Sequence, residues 1–155
     1  MKIVPLTLRE ANDFVEQHHR HSARTSNDGG KFAIGLEVGG ELVGAAIVGR
    51  PVARMLQRPG AAELLRCCVS PMAPRNACSR LEARCKRIWQ QMGGTRLLTY
   101  TLARESGASL RATGAVREAT VDAESWNRPS RRRAARSIEA EDKVRWSWTL
   151  PEIPA

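Results

Sequence analysis

Leu64-Leu65-Arg66-Cys67-Cys68-Val69 and the turn after it, Ser70-Pro71-Met72-Ala73-Pro74-Arg75-Asn76, decide how this 155-residue chain is read. The first run is apolar and predicts a strand. The second is a turn punctuated by two prolines. A long helix follows to about Met92, and Arg96-Leu97-Leu98-Thr99-Tyr100 predicts a second strand. A strand that runs straight into a helix leaves backbone N–H groups free at the helix start, which favours an anion there. Arg66, Arg75 and Arg80 lie around that junction, so the stretch reads as a place for a phosphorylated cofactor or substrate.

Outward from this unit the elements are simple. Ile3 to Leu6 predicts a short strand. Thr7 with Glu10 three residues on is a capping box, and the helix behind it carries Ala11, Phe14, Val15 and His18 on one face. Ser22 to Lys31 is polar and reads as a loop. Phe32 to Val38 and Leu42 to Val48 are strands joined by a Gly39-Gly40 turn. Gly49-Arg50-Pro51 ends the second of them, and Val52 to Pro59 is an irregular connection. The long helix shows a stripe of Ala77, Leu81, Cys85, Ile88 and Met92, with Cys78 and Trp89 beside it, and Gly93-Gly94 stops it. Because a helix joins them, the strands on either side of it are expected to be parallel. A short helix closed by Gly114, a strand from Val116 to Val121, an Arg-rich loop over 127–137 and a strand from Val144 to Leu150 complete the chain. The expected class is α/β (α+β): a mixed, mostly antiparallel sheet around one parallel strand-helix-strand unit. One domain over 1–150 with a tail at 151–155 is expected, since no repeat or linker divides it.

Composition narrows the partners. The chain has 25 Lys+Arg against 16 Asp+Glu, a net charge of +9. Such an excess favours polyanions. No apolar run is long enough to cross a bilayer and the start does not read as a signal peptide, so no membrane partner and a cytoplasmic location are expected. The four cysteines, Cys67, Cys68, Cys78 and Cys85, lack zinc-ligand spacing and read as reduced, with Cys78 and Cys85 as small core residues; no metal is expected.

The order of elements is similar to that of the GNAT N-acetyltransferase superfamily. There the turn and helix start after the central strand bind the pyrophosphate of acetyl-coenzyme A (acetyl-CoA). The family's Arg/Gln-x-x-Gly-x-Gly/Ala signature is replaced here by Ala73-Pro74-Arg75-Asn76-Ala77-Cys78-Ser79, with no glycine. Within the superfamily the chain resembles phage-associated proteins related to the Mom DNA-modification enzymes. The resembling residues are His18-His19-Arg20-His21, Lys31 to Gly35, Leu42-Val43-Gly44, Gly49-Arg50-Pro51, Leu65-Arg66, Pro74 to Ala77, Ser79 and Thr99-Tyr100. The resemblance implies acetyl-CoA, or another acyl-CoA, at Arg66, Cys67, Val69, Arg75, Asn76, Ala77 and Ser79. It implies acyl transfer to a plain or hypermodified base of phage DNA in a bacterial cell. The acid of the Mom-like Ser-Tyr-Ala-Asp segment is absent, since Thr99-Tyr100-Thr101-Leu102 stands in its place.

Acyl transfer to an amine needs a clamp, a base and an acid. His18, His19 and His21 are the only histidines, and imidazole is the side chain best suited to general-base work near neutral pH, so His18 or His19 is a candidate base. Glu63, at the start of the central strand, is another. Tyr100, the only tyrosine, ends a parallel strand and is a candidate acid. Arg50 is placed to meet substrate phosphates. Arg128, Arg131, Arg132 and Arg133 suit a nucleic-acid backbone, with Trp126, Trp146 and Trp148 as stacking partners for bases or as core anchors. Each of these residues also has a plain structural reading. Two other functions stay open: a basic nucleic-acid-binding protein without cofactor, and an acetyltransferase for a small amine or a protein.

Overall fold

The computed structural model describes residues 1–18, 25, 29–122 and 141–154. His19, His21, Trp126, Arg128, Arg131, Arg132 and Arg133, and with them the Arg-rich loop, lie outside the described residues.

The chain runs β1 (Lys2–Leu6), α1 (Leu8–His18), β2 (Gly30–Val38), β3 (Glu41–Gly49), β4 (Ala61–Val69), α2 (Ala77–Gln91), β5 (Arg96–Leu102), α3 (Ala108–Ala112), β6 (Val116–Val121) and β7 (Lys143–Thr149), with a short 3-10 turn at Arg54–Leu56. The strands form one seven-stranded sheet in the order β1-β2-β3-β4-β5-β7-β6. Only β4 and β5 are parallel; every other pair is antiparallel. This is the expected mixed sheet. β4 starts three residues earlier than its apolar run suggested, because Ala61, Ala62 and Glu63 are drawn into pairing with Arg96, Leu97 and Leu98.

Helices cover the two faces unequally. α1 packs on β1 to β4, and Ala11, Phe14 and Val15 join Ala45, Ile47 and Cys68 in a small core. α2 crosses the other face, where Leu81, Cys85 and Trp89 meet Leu36, Val48, Leu64 and Leu97. Trp146 and Trp148 belong to this second core and are 2% exposed. That decides between the two roles open to them: they are anchors and cannot stack on bases. Met92 departs from the expected stripe. α2 ends at Gln91, and Met92 caps it from outside, exposed. Glu82 takes an unexpected buried place on the same helix.

α1 starts as its sequence says. The Thr7 N–H donates to Glu10 Oε1 at 3.0 Å and the Glu10 N–H donates to Thr7 Oγ1 at 3.1 Å. Thr7→Ala will cost about 1 kcal/mol of folding stability, read by urea denaturation, because a side-chain N-cap bond is worth that much.

Trp89 ties the parallel pair together at its base. Its indole N–H is shared between the carbonyls of Gly60, at 3.1 Å, and Arg96, at 3.0 Å, the residues that lead into β4 and open β5. Gly94 lets the ring approach this closely, since a Cβ there would stand 2.2 Å from Trp89 Nε1.

Candidate functional site

Two irregularities in the centre of the sheet make the site. The first is a fork. β4 and β5 pair only from Ala61/Arg96 to Glu63/Leu98. Thr99 Oγ1 then donates to the Leu64 carbonyl at 3.0 Å. Beyond that bond β4 continues with β3 alone, and β5 with β7 alone, so the two strands part. Between Leu65–Val69 and Tyr100–Leu102 the facing strand edges are not paired with each other.

The second is a bulge. Ile47 faces Arg66 and Val48 faces Leu64, which leaves Leu65 as the extra residue. A bulge shifts the alternation of side chains by one. Before it, Ala62 and Leu64 pack under α2; after it, Cys67 and Val69 do. Glu63 and Arg66, three apart, therefore both project to the α1 side. Tyr100 joins them from β5 and Arg145 from β7, opposite each other in the β5-β7 register and on the face away from Trp146.

Burial shifts the two ionisable groups of this cluster that could exchange a proton. Glu63 is buried, and burial pushes its carboxyl up to about 7. The Val52 N–H, which donates to Glu63 Oε1 at 3.2 Å, and the charges of Arg66 and Lys143 pull the other way without cancelling it. The Tyr100 phenol is raised by burial and by the Glu63 charge, although Arg145 hydrogen-bonds it. Arg145 also pairs with Glu118, which holds Arg96 as well. So a carboxyl that titrates near neutrality lies beside a phenol that keeps its proton, with a guanidinium holding the phenol in place.

On the α2 side the fork meets a helix start. The Ala77 N–H bonds to Pro74 O and the Arg80 N–H to Asn76 O, and among the described residues no backbone bond ties the N–H groups of Cys78 or Ser79. Asn76 makes no side-chain cap bond, and no acidic residue stands in the first turn. Arg75 and Arg80 are exposed there. Ser79 Oγ donates to the Asn76 carbonyl at 3.0 Å and so does not point outward as a free donor. Free amides, two arginines and no competing carboxylate fit a pyrophosphate. Deeper in, Ser109 Oγ on α3 donates to Glu82 Oε1 at 2.9 Å, while Glu82 Oε2 is buried with no partner among the described residues. Burial raises this carboxyl too, to about 7. An orphan acceptor at this depth suits the amide N–H groups of a pantetheine arm.

The residues expected from sequence fall into three sets. Arg66, Cys67, Val69, Arg75, Asn76, Ala77 and Ser79 all lie along β4 and the start of α2. Glu63 and Tyr100 meet at the fork, and Arg50 follows the last residue of β3, exposed, its backbone N–H bonded to Gly29 O at 2.7 Å. His18 is elsewhere. It lies at the end of α1, its ring 4.3 Å from that of Phe14, in a groove with Glu10, Asp13, Glu41 and Leu42. Gly49 is opposite Glu63, and Leu42 is seven residues back along β3, roughly 23 Å of strand. His18 therefore does not share a site with Glu63 and Tyr100. Arg145, Glu82 and Ser109 were not expected. The alternation of β7 put Arg145 opposite the tryptophans, but its place beside Tyr100 depends on strand order.

A seven-stranded sheet with one forked parallel pair and a helix start at the fork is a known arrangement. Among solved structures, the ribosomal-protein-S18-alanine N-acetyltransferase from Escherichia coli matches with a TM-score of 0.70 at 13% identity, over 99% of this chain and 96% of that one. The ribosomal-protein-alanine N-acetyltransferase from Brucella melitensis matches at 0.71 and 16%, over 97% and 100%. The chain has the GNAT fold. A Bacillus subtilis acetyltransferase in complex with CoA matches at 0.66 and 14%, over 97% of this chain and 99% of that chain. No protein-family model matches the sequence, and no curated protein sequence does. At these identities the likeness is one of fold. Among the described residues no helix is long and apolar enough to cross a membrane, and no group of His, Cys, Asp and Glu is placed to hold a metal ion.

Proposed function

We propose that the protein is an acyl-CoA-dependent N-acyltransferase whose acceptor is an amine on nucleic acid. The observation that carries the reading is the fork of β4 and β5, with the uncapped start of α2 on one side and Glu63 with Tyr100 on the other. The GNAT fold supports it, as does a neighbour of that fold seen with CoA.

Arg75, Arg80 and the Cys78 and Ser79 amides would hold the pyrophosphate, and Glu82 and Ser109 would meet the arm. When bound, the cofactor supplies an acyl group activated as a thioester. Glu63 would take the proton that the acceptor nitrogen gives up as it is acylated, directly or through one water. Tyr100 would hold a proton for a departing thiolate, and Arg145 keeps the phenol aligned. His18 has no part in this scheme. Removing a charged hydrogen-bond partner costs about 1.5 to 3 kcal/mol, so Arg75→Ala will weaken acetyl-CoA binding about ten- to a hundredfold, measured by calorimetric titration.

The net charge of +9 favours a polyanionic acceptor. Arg50, Arg54 and Arg58 are exposed on the segment that leads from β3 to Glu63 and bring positive charge to the acceptor side. A base in DNA, and in phage DNA on the Mom-like resemblance, is the acceptor proposed. Thiol release from acetyl-CoA tests it, with amine-bearing DNA, a peptide beginning with Ala and a small amine as acceptors. DNA-dependent release that falls steeply with salt is expected. Release with the peptide or the small amine alone would move the acceptor to those classes, as the names of two fold neighbours suggest. Salt-dependent DNA binding with no release would leave a cofactor-less nucleic-acid-binding protein.

A further inference from the structure

The segment that leads from β3 into β4 folds back on itself. The Arg50 N–H, bonded to Gly29 O, fixes its start, and the 3-10 turn at Arg54–Leu56 reverses the chain so that Gln57 returns to Pro51. There Gln57 Nε2 donates to the Pro51 carbonyl at 2.8 Å. Pro51 is fully buried, while Gln57 is exposed. The Pro51 carbonyl and the Val52 N–H belong to one peptide group, and that N–H is the one that donates to Glu63 Oε1 at 3.2 Å. A single planar unit therefore stands between the Gln57 side chain and the buried Glu63 carboxyl. It accepts from the first on one edge and donates to the second on the other.

This peptide lies after the end of β3 and before the 3-10 turn, so no strand ladder or helical bond sets its orientation. It is trans and rigid, so its C=O and N–H point in opposite directions, and fixing the oxygen fixes the direction of the N–H. A carbonyl that accepts a hydrogen bond also polarises its peptide and makes the N–H a stronger donor. For Glu63 the Val52 N–H is the largest influence that favours the charged form, ahead of Arg66 on its own strand and Lys143 on β7. Tyr100, on β5 and held by Arg145, borders the carboxyl from the far side of the fork. We propose that Gln57 is a positioning residue for Glu63: it holds the Pro51–Val52 peptide with its N–H aimed at the carboxylate and so stabilises the charged base. That Glu63 is the base rests on the function proposed above; the hydrogen-bonded link from Gln57 to Glu63 does not.

The test follows the Glu63 side-chain carboxyl by carbon-13 NMR in glutamate-labelled protein, its signal assigned by its absence in Glu63→Gln. This reading needs no cofactor and no acceptor. Gln57→Met keeps the length of the side chain and removes the donor, and the position is exposed, so the core is left intact. The Glu63 midpoint in this variant is expected about half a pH unit above that of the wild type, because weakening a bond to the charged form favours the neutral one. Gln57→Lys restores a donor and will return the midpoint to the wild-type value or below it. The rising limb of the kcat/KM profile will move with the midpoint in Gln57→Met, lowering the rate on that limb about threefold, which is what half a pH unit is worth in proton binding. A loss of packing alone would lower the whole profile and leave its midpoint in place. A folded Gln57→Met protein in which Glu63 titrates as in the wild type overturns the proposal, as does a midpoint raised as far in Gln57→Lys as in Gln57→Met. A raised midpoint in Gln57→Met, with no thiol release by the wild type on any of the three acceptors, overturns the acyl-transfer reading and leaves the link from Gln57 to Glu63 standing.

Discussion

Replacing Glu63 by Gln will lower acyl transfer at pH 8 by about a hundredfold or more, and at the same pH it will make the fold more stable. Both effects come from one ionisation. Unfolded, the Glu63 carboxyl titrates near 4.5; folded, burial moves it to about 7. A raised carboxyl favours the folded state while it is protonated. Its contribution is fully present below pH 4.5 and is lost as the pH rises through about 7. The loss at pH 8 is on the order of 2 to 3 kcal/mol, since a tenfold change in a proton-binding constant is worth about 1.4 kcal/mol. The glutamine side chain carries no charge and still accepts from the Val52 N–H, so the variant avoids that loss. Urea denaturation at pH 5 and pH 8 checks the stability effect: little difference between the proteins is expected at pH 5, and a clear gain for the variant at pH 8. The kcat/KM profile checks the catalytic one. The wild type will rise through about pH 7, where Glu63 becomes able to accept a proton, and the variant will be flat. A variant that keeps the full rate would remove Glu63 from the mechanism.

Trp146→Ala will cost about 3 to 5 kcal/mol, the usual loss for emptying a buried tryptophan site. Trp146 is 2% exposed. Its indole N–H donates to Thr101 Oγ1 at 2.9 Å, and the Arg111 guanidinium lies 5.1 Å from its ring. Gly107 stands against the ring: at φ 65 it adopts a turn that other residues resist, and a Cβ there would be 2.4 Å from Trp146 Cζ2. The alanine variant would leave an apolar hole and the Thr101 hydroxyl without its donor. Trp146→Phe keeps most of the packing and will cost less. On the nucleic-acid acceptor proposed above, the phenylalanine variant will match the wild type in DNA affinity and salt dependence, measured by fluorescence anisotropy. A loss of DNA affinity in a folded Trp146→Phe protein would contradict the buried role.

Local signals carried most of the fold. The Thr7/Glu10 box, the Gly39-Gly40 hairpin and the helix between two apolar strands each depend on residues close in sequence. They also placed the turn that leads into α2. The bulge at Leu65 was not legible, because an extra residue in Leu64-Leu65-Arg66 looks like any apolar strand until β3 sets the register. Without the bulge, Glu63 and Arg66 would be assigned to opposite faces. The fork was hidden for the same reason: it is a property of two strands whose last shared bond joins residues 35 apart. Tyr100 could be singled out as the only tyrosine at a strand end, but Arg145 needed the β5-β7 pairing. His18 stood out in the sequence for a physical reason, and the structure sets it apart from Glu63 and Tyr100. Imidazole is a common general base, and the sequence does not show that burial raises the Glu63 carboxyl to about 7.

A thermal melt with a large excess of acetyl-CoA tests the central claim most directly. Ligand at several hundred times its dissociation constant adds about 3 to 4 kcal/mol to the folded state. The account predicts a clear upward shift in the reduced wild type that is smaller in Arg75→Ala. A well-folded, reduced protein with the same melting temperature in the presence and absence of acetyl-CoA would contradict it.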